Sequence, residues 1–412
     1  MERLILHVDA NNAYLSWTAV DMLKKGAKID IRTIPSIIGG DEEARHGIVL
    51  AKSPVAKQFG IVTGETIYQA KRKCPMLSSY PVNFNTYIKY SREMVKILKE
   101  NTDRVEQYSI DECFLDMTGC LFKGETIEER AKKISTKIKD TLGFTVNIGI
   151  AHNKLLAKMA SDFEKPDKIH TLYENEIESK MWPLPVSELF MVGRKSVPKL
   201  NSLGLKTIGD VAHYDEKILI KRFGKFGKMI WEYANGIDNS EVTSDYGKQK
   251  GIGHSTTLKE DIQSIDKLEK ELLSLCEQVC YRLRKENMYA NVVNVQIRTN
   301  DFIDRSHQRK LSNGTKSTKE IFDVAKDLLR ELHGKSTNKA VRLIGIRVDN
   351  LTETKQSQIS LFDEAESIDT EKQLNLDKTI DNIKDKFGYN SVMRGGLVNK
   401  RMEMFDKHKR KK

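Results

Sequence analysis

Arg104-Val105-Glu106-Gln107-Tyr108-Ser109-Ile110-Asp111-Glu112-Cys113-Phe114-Leu115-Asp116-Met117 contains two strand-like runs, Arg104 to Ile110 and Cys113 to Met117, separated by the polar pair Asp111-Glu112. Two such runs around a short polar break read as a hairpin. On its N-terminal side, Leu4 to Val8 is a short buried-strand run ending at Asp9, and Tyr87 to Glu100 has helical periodicity through Ile88, Met94, Val95 and Leu98. On its C-terminal side, Ile127 to Leu142 is helical and Val146 to Ala151 is a strand. Strand, helix, hairpin, helix and strand in this order is the βαββαβ pattern of a ferredoxin-like sheet, with residues 11–84 inserted after the first strand. In that topology the first and third strands are central neighbours, so Asp9 is expected to meet the hairpin tip at Asp111 and Glu112. An Asp-Glu pair at a turn is ordinarily solvated; here a strand-end aspartate is brought to it.

At 412 residues the chain is too long for one core, and two to four domains are expected. Hydrophobic residues at 39%, charged residues at 31% and a mean hydropathy of -0.50 describe a soluble globular chain. The apolar run before Asp9 is too short for a signal peptide or a membrane span, so no membrane association and a cytoplasmic location are expected. Five cysteines without CxxC spacing and nine scattered histidines argue against a disulfide framework or a zinc site. Cys276 and Cys280, four apart in an apolar helical pattern, read as core.

A net charge of +11 favours an anionic partner. The excess is densest in residues 245–352, with 20 basic against 15 acidic residues. This segment reads as a second α/β unit: Leu268 to Leu283 is an amphipathic helix, and Val293, Val295, Ile297 and Ile344, Ile346, Val348 alternate with polar residues as in half-exposed strands. Such a face suits contact with a nucleic-acid backbone, although a plain solvated face fits the pattern equally. Residues 173–240 are helix-rich and punctuated by Gly193, Gly204, Gly209, Gly224 and Gly227. Gly turns between short helices can present backbone N–H groups to phosphates, and they also end ordinary helices. The last sixty residues are charged and read as a flexible tail, within which Leu376 to Phe387 could form a short helix and Gln358-Ile359-Ser360-Leu361-Phe362 is an apolar cluster.

Together these residues resemble the Y-family translesion DNA polymerases, specifically the bacterial DNA polymerase IV branch. The resemblance rests on His7-Val8-Asp9 with Tyr14, on Tyr108 to Asp116, and on Ile148-Gly149-Ile150-Ala151 followed by Asn153-Lys154, Ala157-Lys158 and Lys165-Pro166. It implies a right-hand, multidomain α/β (α+β) architecture: a ferredoxin-like catalytic palm over 1–20 and 80–172, small fingers over 21–79, a helix-hairpin-helix-like thumb over 173–240 and an α/β little finger over 248–352 that binds DNA. The tail over 353–412 would carry a sliding-clamp motif at 358–362, docking through Gln358, Leu361 and Phe362.

The implied activity is template-directed addition of deoxynucleotides to a primer 3′-hydroxyl, error-prone and without proofreading, by a chain expected to be monomeric on primer-template DNA. Two magnesium ions would be held by Asp9, Asp111 and Glu112, with the Ala10 carbonyl as a further ligand, and Glu112 would serve the ion that activates the primer hydroxyl. Tyr14 would lie beneath the incoming deoxyribose and exclude a 2′-hydroxyl; ordinary helix packing is its alternative. Lys165 would reach the triphosphate, or else be a surface lysine.

The fingers depart from the family pattern. A Thr-x-Asn-Tyr stretch with an Arg three residues after the Tyr is usual, whereas this chain has Ala51-Lys52-Ser53-Pro54 and then Lys57. Ser53, Lys52 and Lys57 are therefore the candidates for triphosphate contact. Asn11 and Asn12 replace acidic or bulkier residues, outside the expected ligands. Ile48, Val49, Leu50 and Ala51 would roof the nascent base pair. A catalytically silent clamp- and DNA-binding accessory would have lost a carboxylate, and a nucleotide cyclase would lack the basic second unit and the clamp peptide.

Overall fold

The protein is described as a computed structural model covering residues 3–40, 47–245, 247–335, 339–355 and 364–397, with the side chains of the last helix described from residue 372. Two compact units divide the chain, Met1–Gly40 with Ile48–Asp245, and Asp41–Gly47 with Tyr246–Lys412.

The first unit begins with strand β1 (Ile5–Ala10) and helix α1 (Ala13–Lys24), then a small sheet of β2 (Ser36–Gly39), β3 (Val49–Lys52) and β4 (Ser78–Pro81), with α2 (Pro54–Gln58) and α3 (Ile67–Lys73) between its strands. Helix α4 (Phe84–Lys99), strands β5 (Val105–Gln107) and β6 (Glu112–Asp116), helix α5 (Ile127–Leu142), strand β7 (Val146–Ala151), helix α6 (Lys154–Ser161) and strand β8 (Ile169–Thr171) follow. The expected divisions at residues 20 and 80 cut α1 and β4. The main sheet has the order β5-β6-β1-β7-β8, in which β1 pairs antiparallel with both β6 and β7. Alternation sends Leu6 and Val8 into the core that also holds Leu98, Ile134 and Ile138, while Ile5 and Phe114 face the other side.

Local chemistry explains the helix ends. Thr126 and Glu129 form a capping box at the start of α5, and Gly143 closes it with φ 83°, a conformation only glycine adopts freely. Asn153 caps α6 by accepting from the Leu156 N–H. Its amide also donates to the Gly236 carbonyl at 2.8 Å, tying the end of the following helical region to the sheet. That region comprises α7 (Val197–Asn201), α8 (Ile208–Ala212), α9 (Glu216–Phe223) and α10 (Lys225–Ala234).

The second unit contains β9 (Gly251–Ile262), α11 (Ile265–Lys285), β10 (Ala290–Thr299), β11 (Asp304–Thr315), α12 (Thr318–Lys335) and β12 (Val341–Asp349). Its sheet is wholly antiparallel in the order β11-β10-β12-β9, and Val293, Val295, Ile297, Ile344, Ile346 and Val348 bury one face against α11 and α12. Cys276 and Cys280 lie in this core with their sulfurs 3.7 Å apart.

The tail departs from expectation: Glu364–Phe387 is one helix, α13. It packs through charge: Arg284 Nε meets Asp381 at 2.6 Å and its Nη1 reaches Asp377 at 3.4 Å, Lys384 pairs with Glu277 at 3.4 Å, and Tyr281 donates to Asp385. A charged composition reads as solvated only when its partners are unseen, and these lie far away in sequence. The peptide Gln358 to Phe362 lies outside the described residues.

Candidate active site

Asp9 and Glu112 are direct cross-strand partners at the end of the main sheet. Glu112 is therefore the first residue of β6 rather than the hairpin tip, and the turn is made by residues 108–111. Opposed residues in an antiparallel pair project to one face, and this is the face of His7 and Phe114, two positions further along each strand. The Ala10 N–H donates to the Asp111 carbonyl at 3.0 Å, fastening the turn to the end of β1. The Asp111 carboxylate accepts from Ser109 Oγ at 2.6 Å.

Helix α6 covers this face because β7 presents Gly149 to it. A Cβ there would lie 1.9 Å from the Ala157 carbonyl oxygen and 2.5 Å from Ser161 N, so only glycine admits the helix this closely. The close approach brings Lys158 over the acids: its Nζ is 2.7 Å from Glu112 Oε1, 3.5 Å from Asp9 Oδ2 and 3.1 Å from Asp162 Oδ2. Lys165 Nζ lies 3.1 Å from Asp9 Oδ2 and 2.9 Å from Asp162 Oδ1. Burial is the largest influence on Asp9 and raises its pKa, opposed by Lys165 and Lys158. Burial likewise works against both lysine cations, but the carboxylates around them outweigh it and hold both pKa values above the ordinary lysine range. Burial, with Lys158 and Lys165 adding to it, keeps His7 neutral. Ser161 donates to the Lys158 carbonyl and receives the His7 Nδ1–H at 2.7 Å, leaving Nε2 buried without a partner.

A buried amide pair holds the loop that carries Lys165. Asn11 Nδ2 donates to Asn147 Oδ1 at 3.0 Å, and Asn11 Oδ1 receives the Asp167 N–H and the Thr145 hydroxyl, each at 2.9 Å. Asn147 Nδ2 donates to the Ser161 and Glu164 carbonyls. Asn11, a departure from the family pattern set aside as lying beyond the ligands, thus anchors the residue two positions after Lys165.

Tyr14 on α1 is half-buried, its ring stacked on Tyr87 with centroids 4.7 Å apart and an interplanar angle of 29°. Asn12, at φ 51° and ψ 49°, turns the chain into α1 and donates to the Lys52 carbonyl at 2.8 Å. In the small sheet the expectations divide. Ser53 is wholly buried and committed: its hydroxyl donates to the Ile34 carbonyl at 2.7 Å and accepts from Ala56 N at 2.9 Å and Ser36 N at 3.2 Å. A hydroxyl has one donor and two acceptor sites, so Ser53 has nothing left for a phosphate and is withdrawn as a triphosphate contact; it is the N-cap of α2. Lys57 is exposed, and Lys52 lies close enough that burial first and the Lys57 charge second lower its pKa. Of the expected roof, Val49 and Ala51 point into cores, leaving Ile48 and Leu50 at the surface.

Asp9 and Glu112 therefore come together around one cation, while the Asp111 carboxylate is held by Ser109 beside them. Among the described residues no three His, Cys, Asp or Glu side chains converge as a ready ligand set. The donors nonetheless fit a hard divalent ion: they are carboxylate oxygens, and an ammonium already sits between two of them. Lys158 and Asp162 are the members that sequence reasoning left without a role. Their spacing of four on a helix ending at the Lys165 loop was the available signal.

The sequence model of the impB/mucB/samB family matches residues 8–162, and that of its C-terminal domain matches residues 249–361. A DNA polymerase IV of Clostridium acetobutylicum is 50% identical over 400 residues, covering 97% of this chain and 99% of the relative. DNA polymerase IV 2 of Bacillus subtilis is 35% identical over 414 residues, covering 98% and 97%. Among solved structures, a Y-family DNA polymerase chimera of Dbh and Dpo4 superposes with a TM-score of 0.75 at 24% identity, covering 85% of this chain and 100% of the other, a likeness of fold. The chain belongs to the impB/mucB/samB family of Y-family DNA polymerases, in its bacterial DNA polymerase IV branch.

Proposed function

We propose that the carboxylates of Asp9, Asp111 and Glu112, with the Ala10 carbonyl, hold two magnesium ions at which this chain joins a deoxynucleotide to a primer 3′-hydroxyl. The chain is a DNA-directed DNA polymerase of the translesion type that works on DNA and nucleotides and depends on divalent metal, as its family does. The observation that carries the residue assignment is the pairing of Asp9 with Glu112 across neighbouring strands, around a cation they already share. When bound, the ions favour deprotonation of the primer hydroxyl and neutralise charge on the leaving pyrophosphate. Glu112 orients the attacking side and Asp111 the triphosphate side. Lys165, with Lys52 and Lys57, supplies positive charge to the triphosphate, and the Tyr14 ring, fixed by its stack on Tyr87, denies room to a 2′-hydroxyl. The parts correspond to a palm that keeps the whole of α1 and resumes after β4, fingers built on the small sheet between them, a thumb over 173–240 and a DNA-binding little finger over 248–352.

Gln358, Leu361 and Phe362 would attach this cytoplasmic, monomeric polymerase to a sliding clamp. Primer extension on a template carrying a blocking lesion, with and without the clamp, tests the whole reading. The wild-type chain should pass the lesion and add more nucleotides per binding event with the clamp, and Asp111→Ala should add none. Extension by Asp111→Ala at the wild-type rate would remove the carboxylate assignment.

A further inference from the structure

The two lysines at the site share a further acid, Asp162, which lies outside the proposed metal ligands. Asp162, at the C-terminal end of α6, is 43% exposed and pairs with both Lys158 and Lys165. Lys158, by contrast, has a side chain only 9% exposed, and its ammonium contacts Glu112 and Asp9 while already touching Asp162. Two carboxylates that face each other repel, and in a half-buried site the repulsion must be met by a cation. Here that cation is Lys158. A divalent ion bound to Asp9 and Glu112 would compete for the same oxygens, and like charges at such separation are strongly unfavourable.

We infer that Lys158 is a built-in counter-ion which a divalent metal displaces from Asp9 and Glu112, and that Asp162 is the acceptor that receives it. Lys158 and Asp162 are positioning residues in this scheme. The lysine holds the two acids aligned before metal arrives, and the exposed aspartate lets it withdraw without leaving an unpaired ammonium. Lys165 shares the same acceptor, so releasing it from Asp9 toward a triphosphate uses the same partner. The inference rests on the proposed role of Asp9 and Glu112 as metal ligands.

The test is manganese(II) binding to the full chain in the absence of DNA and nucleotide, with free ion read by electron paramagnetic resonance. Asp9→Asn and Glu112→Gln should each weaken binding; if neither does, the ligand assignment itself fails, separately from this inference. With that established, Lys158→Met, which keeps most of the stem's volume, should tighten binding by about tenfold, as removal of a competing charge requires. Unchanged or weaker binding would overturn the counter-ion role, because a merely structural lysine would not raise metal affinity when removed. Asp162→Asn should weaken binding several-fold in the wild-type background and lose most of that effect in the Lys158→Met background; equal effects in both would reduce Asp162 to a distant charge. If Lys158→Met does not fold, Asp162→Asn carries the test alone: tightened or unchanged binding there overturns the proposal.

Discussion

Both units run strand, helix, hairpin, helix, strand, yet their sheets are ordered differently. In the first, the initial strand β1 lies between β6 of the hairpin and β7, the strand after the second helix; in the second, the initial strand β9 lies at the edge beside β12. Only the first arrangement brings a strand end next to a hairpin turn at the middle of a sheet. Asp9, Asp111 and Glu112 collect there, while the second sheet offers a continuous face.

The charges buried in each unit differ in the same sense. At the first site Asp9, Glu112 and Asp162 pair with Lys158 and Lys165 among the described residues, and Asp111 lies beside them on Ser109, an excess of acid that invites a cation. Beneath α13, Glu277, Asp377 and Asp381 are matched by Arg284, Lys384 and Arg394, and the set is closed. Removing a charge should therefore abolish activity in one unit and lower stability in the other. Glu112→Ala is the sharpest case: single-turnover primer extension should fall by at least about 10³-fold, with the thermal unfolding profile little changed. A comparable loss of stability would mean that the site is held together by its charges rather than poised for a metal.

Arg284→Met is the converse. It leaves Asp377, 2% exposed, and Asp381 short of a partner, at a cost of about 3 kcal/mol. Calorimetry should show a lower unfolding temperature while nucleotide addition to a short primer keeps its rate. Unchanged stability would make the contact of α13 superficial.

What was legible in the sequence was what local pattern governs. Ile127 to Leu142 and Val146 to Ala151 are helix and strand to the residue, because a capping box, a C-terminal glycine and apolar periodicity are all near neighbours. Glu112 was misplaced by one position, since cross-strand pairing with Asp9 rather than local polarity decides where β6 starts. Where the tail helix docks could not be read, because Asp377 and Asp381 find Arg284 roughly a hundred residues away, beyond any sequence window. Lys158 lay inside a recognised motif, but its three partners come from β1, β6 and the end of α6, and only the fold assembles them.

Asn11→Ala probes the support of the site rather than its charge. Loss of the bond to the Asp167 N–H and of the pair with Asn147 should cost about 1–3 kcal/mol and loosen the loop bearing Lys165. Steady-state kinetics should show a several-fold higher KM for the nucleotide, in keeping with a lost hydrogen bond, and a smaller change in kcat. A fall confined to kcat would indicate that the Asn11 pair supports Asp9 on β1 instead.

The smallest effect is expected where the family comparison and the local sequence disagreed. The family resemblance made Ser53 a candidate for triphosphate contact, whereas Ser53-Pro54 is in itself a helix start, a capping hydroxyl followed by proline at the first helical position. The hydroxyl is spent on Ile34, Ser36 and Ala56. Ser53→Ala should then lower stability by about 1 kcal/mol and leave the KM for the nucleotide unchanged, while Lys57→Ala, removing an exposed cation next to Lys52, should raise it. The opposite pattern, a raised KM from Ser53→Ala with Lys57→Ala silent, would require the Ser53 hydroxyl to leave its three partners when nucleotide binds. Helix α2 would lose its cap on the Ala56 N–H in that event, so the cost of rearrangement would itself appear as weak nucleotide affinity.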